Sequence, residues 1–360
     1  MAATFYGVND ASAVKLWRRK LARDVQAATF MGKFLGESDD SLVQIYDETG
    51  KGAGDRVTVT LRGQLTGDGV LGDGTLEGNE EALSFFSDNL LIDQLRHATR
   101  SAGKMSEQRV PWKNREESKN ALRDWWANRL DTAFFNQIGG NTAATDVRYT
   151  GNQAVLAPTS VIRPAAAATD EALDDAATES MSLALIDSAV AQAKTRTRDG
   201  VAVPMRPINV DGEDRWVMFL HPFQASSLRT NTNNGQWLDI QKASLAGGDS
   251  KRSPIFTGAL GMYNGVVLHE TPRVPQGVNS TTGARVSDTR RAILCGAQAA
   301  ALGFGEGYSF NKFDWNEELF DYGNQLGVEA GMIFGLKKTR YNAVDFSTIV
   351  VSTFSNAADV

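Results

Sequence analysis

The sequence predicts a mixed fold, α+β or α/β, and two observations carry that expectation. Apolar residues recur at helical spacing in three stretches, roughly 11–34, 114–138 and 181–193. Trp216–Leu220 reads as a buried strand, Gly265–Glu270 and Arg291–Cys295 are strand-like, and Ser347–Phe354 is a β-rich end. At 360 residues the chain exceeds one average domain, so two domains, or one with large insertions, are expected. Hydrophobic residues at 42% and charged ones at 22% lie near the globular average, which excludes a disordered or coiled-coil protein.

Taken in order, the first element is an amphipathic helix over about Ala11 to Phe34, with Val14, Trp17, Leu21, Val25, Ala28 and Met31 on one stripe. Lys15, Arg18, Arg19, Lys20 and Arg23, interleaved with Leu16, Trp17 and Leu21, form its densest basic patch, read as a solvated or partner-contacting face in preference to a nucleic-acid site. Glycines at Gly36 and from Gly50 to Gly54 punctuate the chain beyond this helix, so residues 1–50 are expected to form an arm. Strand character begins at Val57 to Leu61, and Leu90 to Ser101 fits strand or helix. Asn114 and Glu117 have capping-box spacing. Behind them Leu122, Trp126, Leu130 and Phe134 recur every four residues until Gly139 and Gly140 stop the helix. Lys119, Arg123 and Arg129 give that helix a mildly basic outer side. Short β pieces are expected at Ala154–Leu156 and Ser160–Arg163, and a helix through Met181, Leu185, Ile186, Ala189, Val190 and Ala193. Pro222 sits where a helix can begin, and a further helix is expected near Trp237 to Ala246.

Several classes of chemistry are excluded. The net charge of −6 disfavours avid nucleic-acid binding over the whole surface. Mean hydropathy is −0.29 and no run approaches the roughly 20 apolar residues of a membrane span, so a soluble, non-secreted chain is expected. The single cysteine, Cys295, reads as a small buried hydrophobe and permits no internal disulfide. His97, His221 and His269 lack ligand spacing and read as structural. Neither a catalytic constellation nor a cofactor or metal site is expected.

The most informative stretch runs from Gly63 to Leu95, with seven acidic side chains and no Lys or Arg. Gly67-x-Gly69-x-x-Gly72 matches a dinucleotide fingerprint in letters only. Gly74 and Gly78 interrupt any following helix, while Asp68, Asp73 and Glu77 would repel pyrophosphate. Read as a calcium loop from Asp73, the segment has Ser84 where a bidentate Glu is required. A long, one-signed, glycine-hinged loop is suited to lying on a basic surface of another protein. Its contact residues are expected to be Asp68, Asp73, Glu77, Glu80 and Glu81.

Five stretches give the chain a family resemblance: Gly54-Asp-Arg-Val-Thr-Val-Thr-Leu61, Leu76-Glu-Gly-Asn-Glu-Glu81, Ile92-Asp-Gln-Leu-Arg-His97, Met105-Ser-Glu-Gln-Arg109 and Asn264-Gly-Val-Val-Leu-His-Glu270. With the order of parts around them, they resemble the major capsid proteins of tailed bacteriophages, specifically the N4-like group. The resemblance implies an α+β fold of the Hong Kong 97 type. Its parts would be an N-terminal arm (1–50), an extended loop with flanking strands (51–97), a peripheral domain (98–169) with a spine helix at about 114–138, an axial domain (170–305) and a return to the peripheral domain (306–360). It further implies a homo-oligomer of pentamers and hexamers, closed into an icosahedral shell around double-stranded DNA, in the virion and assembled in the bacterial cytoplasm. Scaffold, portal and decoration proteins would be partners, without a membrane and without sequence-specific DNA binding. Some shells of this type are cross-linked through a loop lysine. None lies between Gly63 and Leu95, Lys51 being at the base, so a non-covalent shell is expected. The competing readings are a nanocompartment shell of the same fold and an α/β enzyme using the Gly67–Gly72 loop for a cofactor.

Overall fold

The structure, a computed structural model, describes residues 11–46, 56–62, 67, 69–83, 85–198, 201–202, 204–210, 212–230 and 259–356. The helix expected at Trp237 to Ala246, Lys51 and Asp68 lie outside the described residues.

The long helix runs Asn114–Ile138, with Leu122, Trp126, Leu130 and Phe134 all fully buried. Four-residue spacing drifts by only about 40° per step on a 3.6-residue helix, so one face stays turned to the core. The start differs from the capping box. Lys113 is the N-cap and supplies no side-chain bond, while Asn114 lies inside the helix and donates from Nδ2 to Ser101 Oγ at 3.4 Å. The basic outer side is also largely engaged: Lys119 pairs with Asp24 at 2.6 Å, Arg115 with Glu317, and Arg129 stacks on Trp125 and Tyr149.

The first helix is shorter than its periodicity predicts, Ala11–Ala28, and is followed by a 3-10 turn at Met31–Phe34. Asp131, fully buried in the long helix, causes the break. Its carboxylate accepts from the backbone N–H of Phe30 at 3.0 Å and of Met31 at 2.9 Å, drawing both away from helical partners. Ala28 is exposed, whereas Leu21, Val25, Met31 and Phe34 enter the core beside the long helix. Residues from Leu21 to Val43 thus contribute seven side chains to the core.

Two sheets flank this helical layer. In the first, the long strand Gln325–Lys338 is antiparallel along one edge to Asp93–Arg100, and along the other to Asp314–Phe320 and then Ala300–Phe304. Val43–Tyr46 adds in parallel beside Ala300–Gly303. In the second, Glu213–Leu220 lies between Val266–Glu270, parallel, and Arg285–Cys295, antiparallel. Thr348–Phe354 pairs with Arg285–Cys295 on its far side, followed by Val161–Ile162. The strand Thr348–Phe354 therefore joins the second sheet. The ambiguous run from Leu90 is two strands, ending Phe85–Leu91 and continuing as Asp93–Arg100, while Ala154–Leu156 forms no strand.

Strand alternation assigns the faces. Trp216, Met218 and Leu220 meet the helix Leu183–Thr195, while Val217 and Phe219 meet Phe34 and the end of the long helix at Phe134 and Phe135. His269 is fully buried against Phe30, Phe34 and Phe219, and Cys295 is buried in the same sheet. Arg291 ties the layers together. It bonds the carbonyls of Gly139 (3.3 Å) and Gly140 (2.7 Å), the orphan acceptors at the helix end, and pairs with buried Asp170 at 2.7 Å.

Candidate assembly interface

The acidic stretch is the tip of a β-hairpin. Arg56–Arg62 and Phe85–Leu91 pair antiparallel in full register, Arg56 opposite Leu91 and Arg62 opposite Phe85. β-branched residues at 57–60 favour this extended backbone.

The base of the hairpin is seated in a notch made by glycine. Gly303 and Gly335 face each other across two strands of the first sheet. A Cβ at Gly335 would stand 1.9 Å from the Leu91 carbonyl oxygen, and one at Gly303 would stand 2.7 Å from Leu90 Cδ2. Into the space left, Val59, Leu90 and Ala301 pack as a small buried cluster edged by Tyr46 and Val57. Polar bonds reinforce the seat. Lys337 forms an ion pair with Asp88 and donates to the Asn89 carbonyl at 2.9 Å, the Arg340 N–H donates to Asp88 at 3.2 Å, and Gln153 donates to the Leu91 carbonyl at 2.6 Å.

The tip has a different character. Its described part, residue 67 and residues 69–83, contains turns and no helix, with Gly69, Gly72 and Gly78 at φ of +72°, +60° and +87°. Left-handed backbone at three sites is the conformation for which glycine is needed. A dinucleotide site, which requires a helix N-terminus here, therefore has no phosphate cradle.

The five acids expected to make the contact divide into groups. Asp68 lies outside the described residues. Glu80 and Glu81 turn inward on the tip: Glu80 accepts from the Gly78 N–H at 2.7 Å and Glu81 from the Gly67 N–H at 2.6 Å. Asp73 and Glu77 are exposed and form no ion pair within the chain among the described residues.

Sequence reasoning missed the apolar half of the tip. Leu71 is 94% exposed, Leu76 61% and Leu83 57%, with Val70 beside them. Four large apolar side chains within fourteen residues, in a segment with neither helical nor strand period, were the signal available in the sequence. A second missed feature is a groove of about 530 Å³ at the C-terminal end of the long helix, bordered by His221, Arg273, Arg285 and Arg290. Burial, and secondarily the charge of Arg290, push the His221 imidazole down to about 4. Its Nδ1 accepts from the Phe223 N–H at 3.2 Å. His97 stacks on Trp125 with ring centroids 4.5 Å apart. Among the described residues no three His, Cys, Asp or Glu side chains group as a metal site requires, and no helix is long and apolar enough to cross a membrane.

Comparison with known proteins agrees with this architecture. The profile of the family described as phage capsid protein matches residues 5–357. The chain is 29% identical to the major capsid protein of Pseudomonas phage KPP25, covering 93% of each. Among solved structures it is similar to the capsid of Ralstonia phage GP4, with a TM-score of 0.79, 31% identity and 99% of both chains covered. It also shares its fold with the capsid asymmetric unit of cyanophage Pam1, with a TM-score of 0.63 at 17% identity, over 99% of this chain and 95% of that one.

Proposed function

The chain belongs to the phage capsid protein family, and on that premise we propose that its glycine-seated hairpin is the extended loop by which each copy grips the next. The protein is the major capsid protein of a phage, a structural protein and not an enzyme, and many copies form the shell.

Within that function, our reading assigns the Hong Kong 97-type fold and membership of the N4-like group. Arg56 to Leu91 is the extended loop, Asn114–Ile138 the spine helix, and residues near 170–305 the axial domain. The peripheral domain is discontinuous and completed by the strands at 314–338, while the last strand, Thr348–Phe354, pairs with Arg285–Cys295 of the axial domain. Pentamers and hexamers close into an icosahedral shell around double-stranded DNA, assembled in the host cytoplasm with scaffold and portal proteins.

One observation carries the loop assignment: a firmly anchored base ends in a tip that buries none of Leu71, Leu76 and Leu83 within its own protomer. Magnitudes rank the contributions. Covering a leucine that is otherwise exposed contributes about 1.5–3 kcal/mol, whereas an exposed ion pair contributes about 0–1 kcal/mol. The leucines therefore supply most of the affinity and the acids direct the tip to a basic surface. Repetition over the lattice multiplies each contact.

The test is Leu71→Ser with Leu76→Ser. We expect the soluble subunit to melt within about 0.5 kcal/mol of the native chain, since exposed positions contribute little to folding, while closed shells seen by electron microscopy become scarce. Normal shell yield from this variant would refute the loop assignment.

A further inference from the structure

Building on the loop reading, we propose that the groove bordered by Arg273, Arg285 and Arg290 is the receptor for the acidic hairpin tip of a neighbouring copy.

The groove has an excess of cations. Arg285 is exposed and has no carboxylate partner among the described residues. Arg290 is half-buried. It donates to the carbonyls of Ser287 at 2.7 Å and Thr289 at 2.8 Å, and lies 5.5 Å from the Phe223 ring centroid, without an ion pair among the described residues. Arg273 is shared with Asp131 at 3.3 Å. The carboxylate on the rim, Asp146, is already taken by Arg148 at 2.6 Å. Two guanidinium groups thus border a concave surface with no carboxylate in ion-pair contact among the described residues, one of them held in place by carbonyls and an aromatic ring, with the charge of Asp288 acting on it from nearby.

The chain itself carries the complement. Asp73 and Glu77 are exposed without ion pairs among the described residues at the end of a projecting hairpin, and residues 63–95 contain no Lys or Arg to compete. Shape favours a protein segment over nucleic acid. A duplex is bound along an extended basic face, while this groove holds about 530 Å³, enough for a few side chains of a turn. The contact is heterologous, tip of one copy on groove of the next, and such contacts repeat head to tail into closed rings when the rotation permits. That is the symmetry a capsomer needs.

Charge reversal tests this. Three full-length variants are compared for yield of closed shells from cells supplying the other phage proteins: Asp73→Lys with Glu77→Lys, Arg285→Glu with Arg290→Glu, and all four together. Each two-site variant is expected to lose about tenfold or more in shell yield, because like charges brought together across an interface oppose docking. The four-site variant is expected to recover most of that yield. Arg285→Glu alone, at an exposed position, guards against misfolding and is expected to lose yield with an unchanged melt.

If the groove variants assemble normally while the tip variant does not, the groove is the wrong receptor and the loop reading survives. If the tip variant assembles normally, the electrostatic part of both falls. Loss in both two-site variants without recovery in the four-site variant overturns the pairing. So do normal shells that lack DNA, which would assign the groove to phosphate.

Discussion

At the scale of single residues, the protomer depends on two buried carboxylates that do opposite things. Asp170 is fully buried, as is Asp131. Burial pushes Asp170 upward, but Arg291 and Arg163, each at 2.7 Å, outweigh it and hold the carboxyl below its ordinary value. For Asp131 burial prevails over the Met31 and Phe30 N–H groups and Arg273, so its carboxyl is raised. Removing one member of a buried pair leaves an uncompensated charge, which costs about 3–5 kcal/mol. Asp170→Ala should therefore destabilise the subunit by that amount in a denaturant melt. The pH dependence follows from the depressed value. The contribution of Asp170 is present above the ordinary carboxylate value of about 3.9 and is lost as pH falls through its lower folded value. Asp170→Asn should lose stability less steeply than the native chain on acidification below about pH 5, measured as melting temperature against pH. An equally steep loss would remove Asp170 from the acid response.

At the scale of elements, the hairpin and its seat are separable. The seat is intramolecular and close-packed, and the tip stands exposed, as the proposed contact with a neighbour requires. Gly335→Ala would set a methyl 1.9 Å from the Leu91 carbonyl oxygen, an overlap that backbone can relieve only by parting the strands. Overpacking of this kind costs roughly 1–3 kcal/mol. The expected outcome is faster amide exchange at 85–91 with the long helix still protected, since that helix packs on a different cluster. Uniform loss of protection across the protomer would mean that the hairpin base is integral to the core. The first helix makes the complementary point. Its apolar period continues past Ala28, yet the chain turns there because a carboxylate about a hundred residues away accepts the next two N–H groups.

At the scale of the whole molecule, the proposed loop contacts make the shell a sum of many weak contacts. With no lysine between Gly63 and Leu95 there is no amine on the loop for a cross-link. Mature particles boiled in detergent should run as one band near 39.0 kDa, and a ladder would overturn this. Much was legible in the chain beforehand. The boundaries of the long helix, the strand through Trp216–Leu220, the helix begun by Pro222 and the exposed acidic turn-rich segment all follow from local period, punctuation and charge. Less legible was the division of labour in the tip, where Glu80 and Glu81 shape the turn while Leu71, Leu76 and Leu83 stand exposed.

What the sequence determined by itself is what short-range physics controls: which segments are helical or extended, which face of each is apolar, and where charge of one sign accumulates. Only the tertiary structure decided which strand completes which sheet, that Arg291 closes the end of the long helix, that Gly303 and Gly335 on neighbouring strands form one notch, and that Arg273, Arg285 and Arg290 border one groove. Those facts depend on contacts between residues distant along the chain, and no local pattern of period or propensity encodes them.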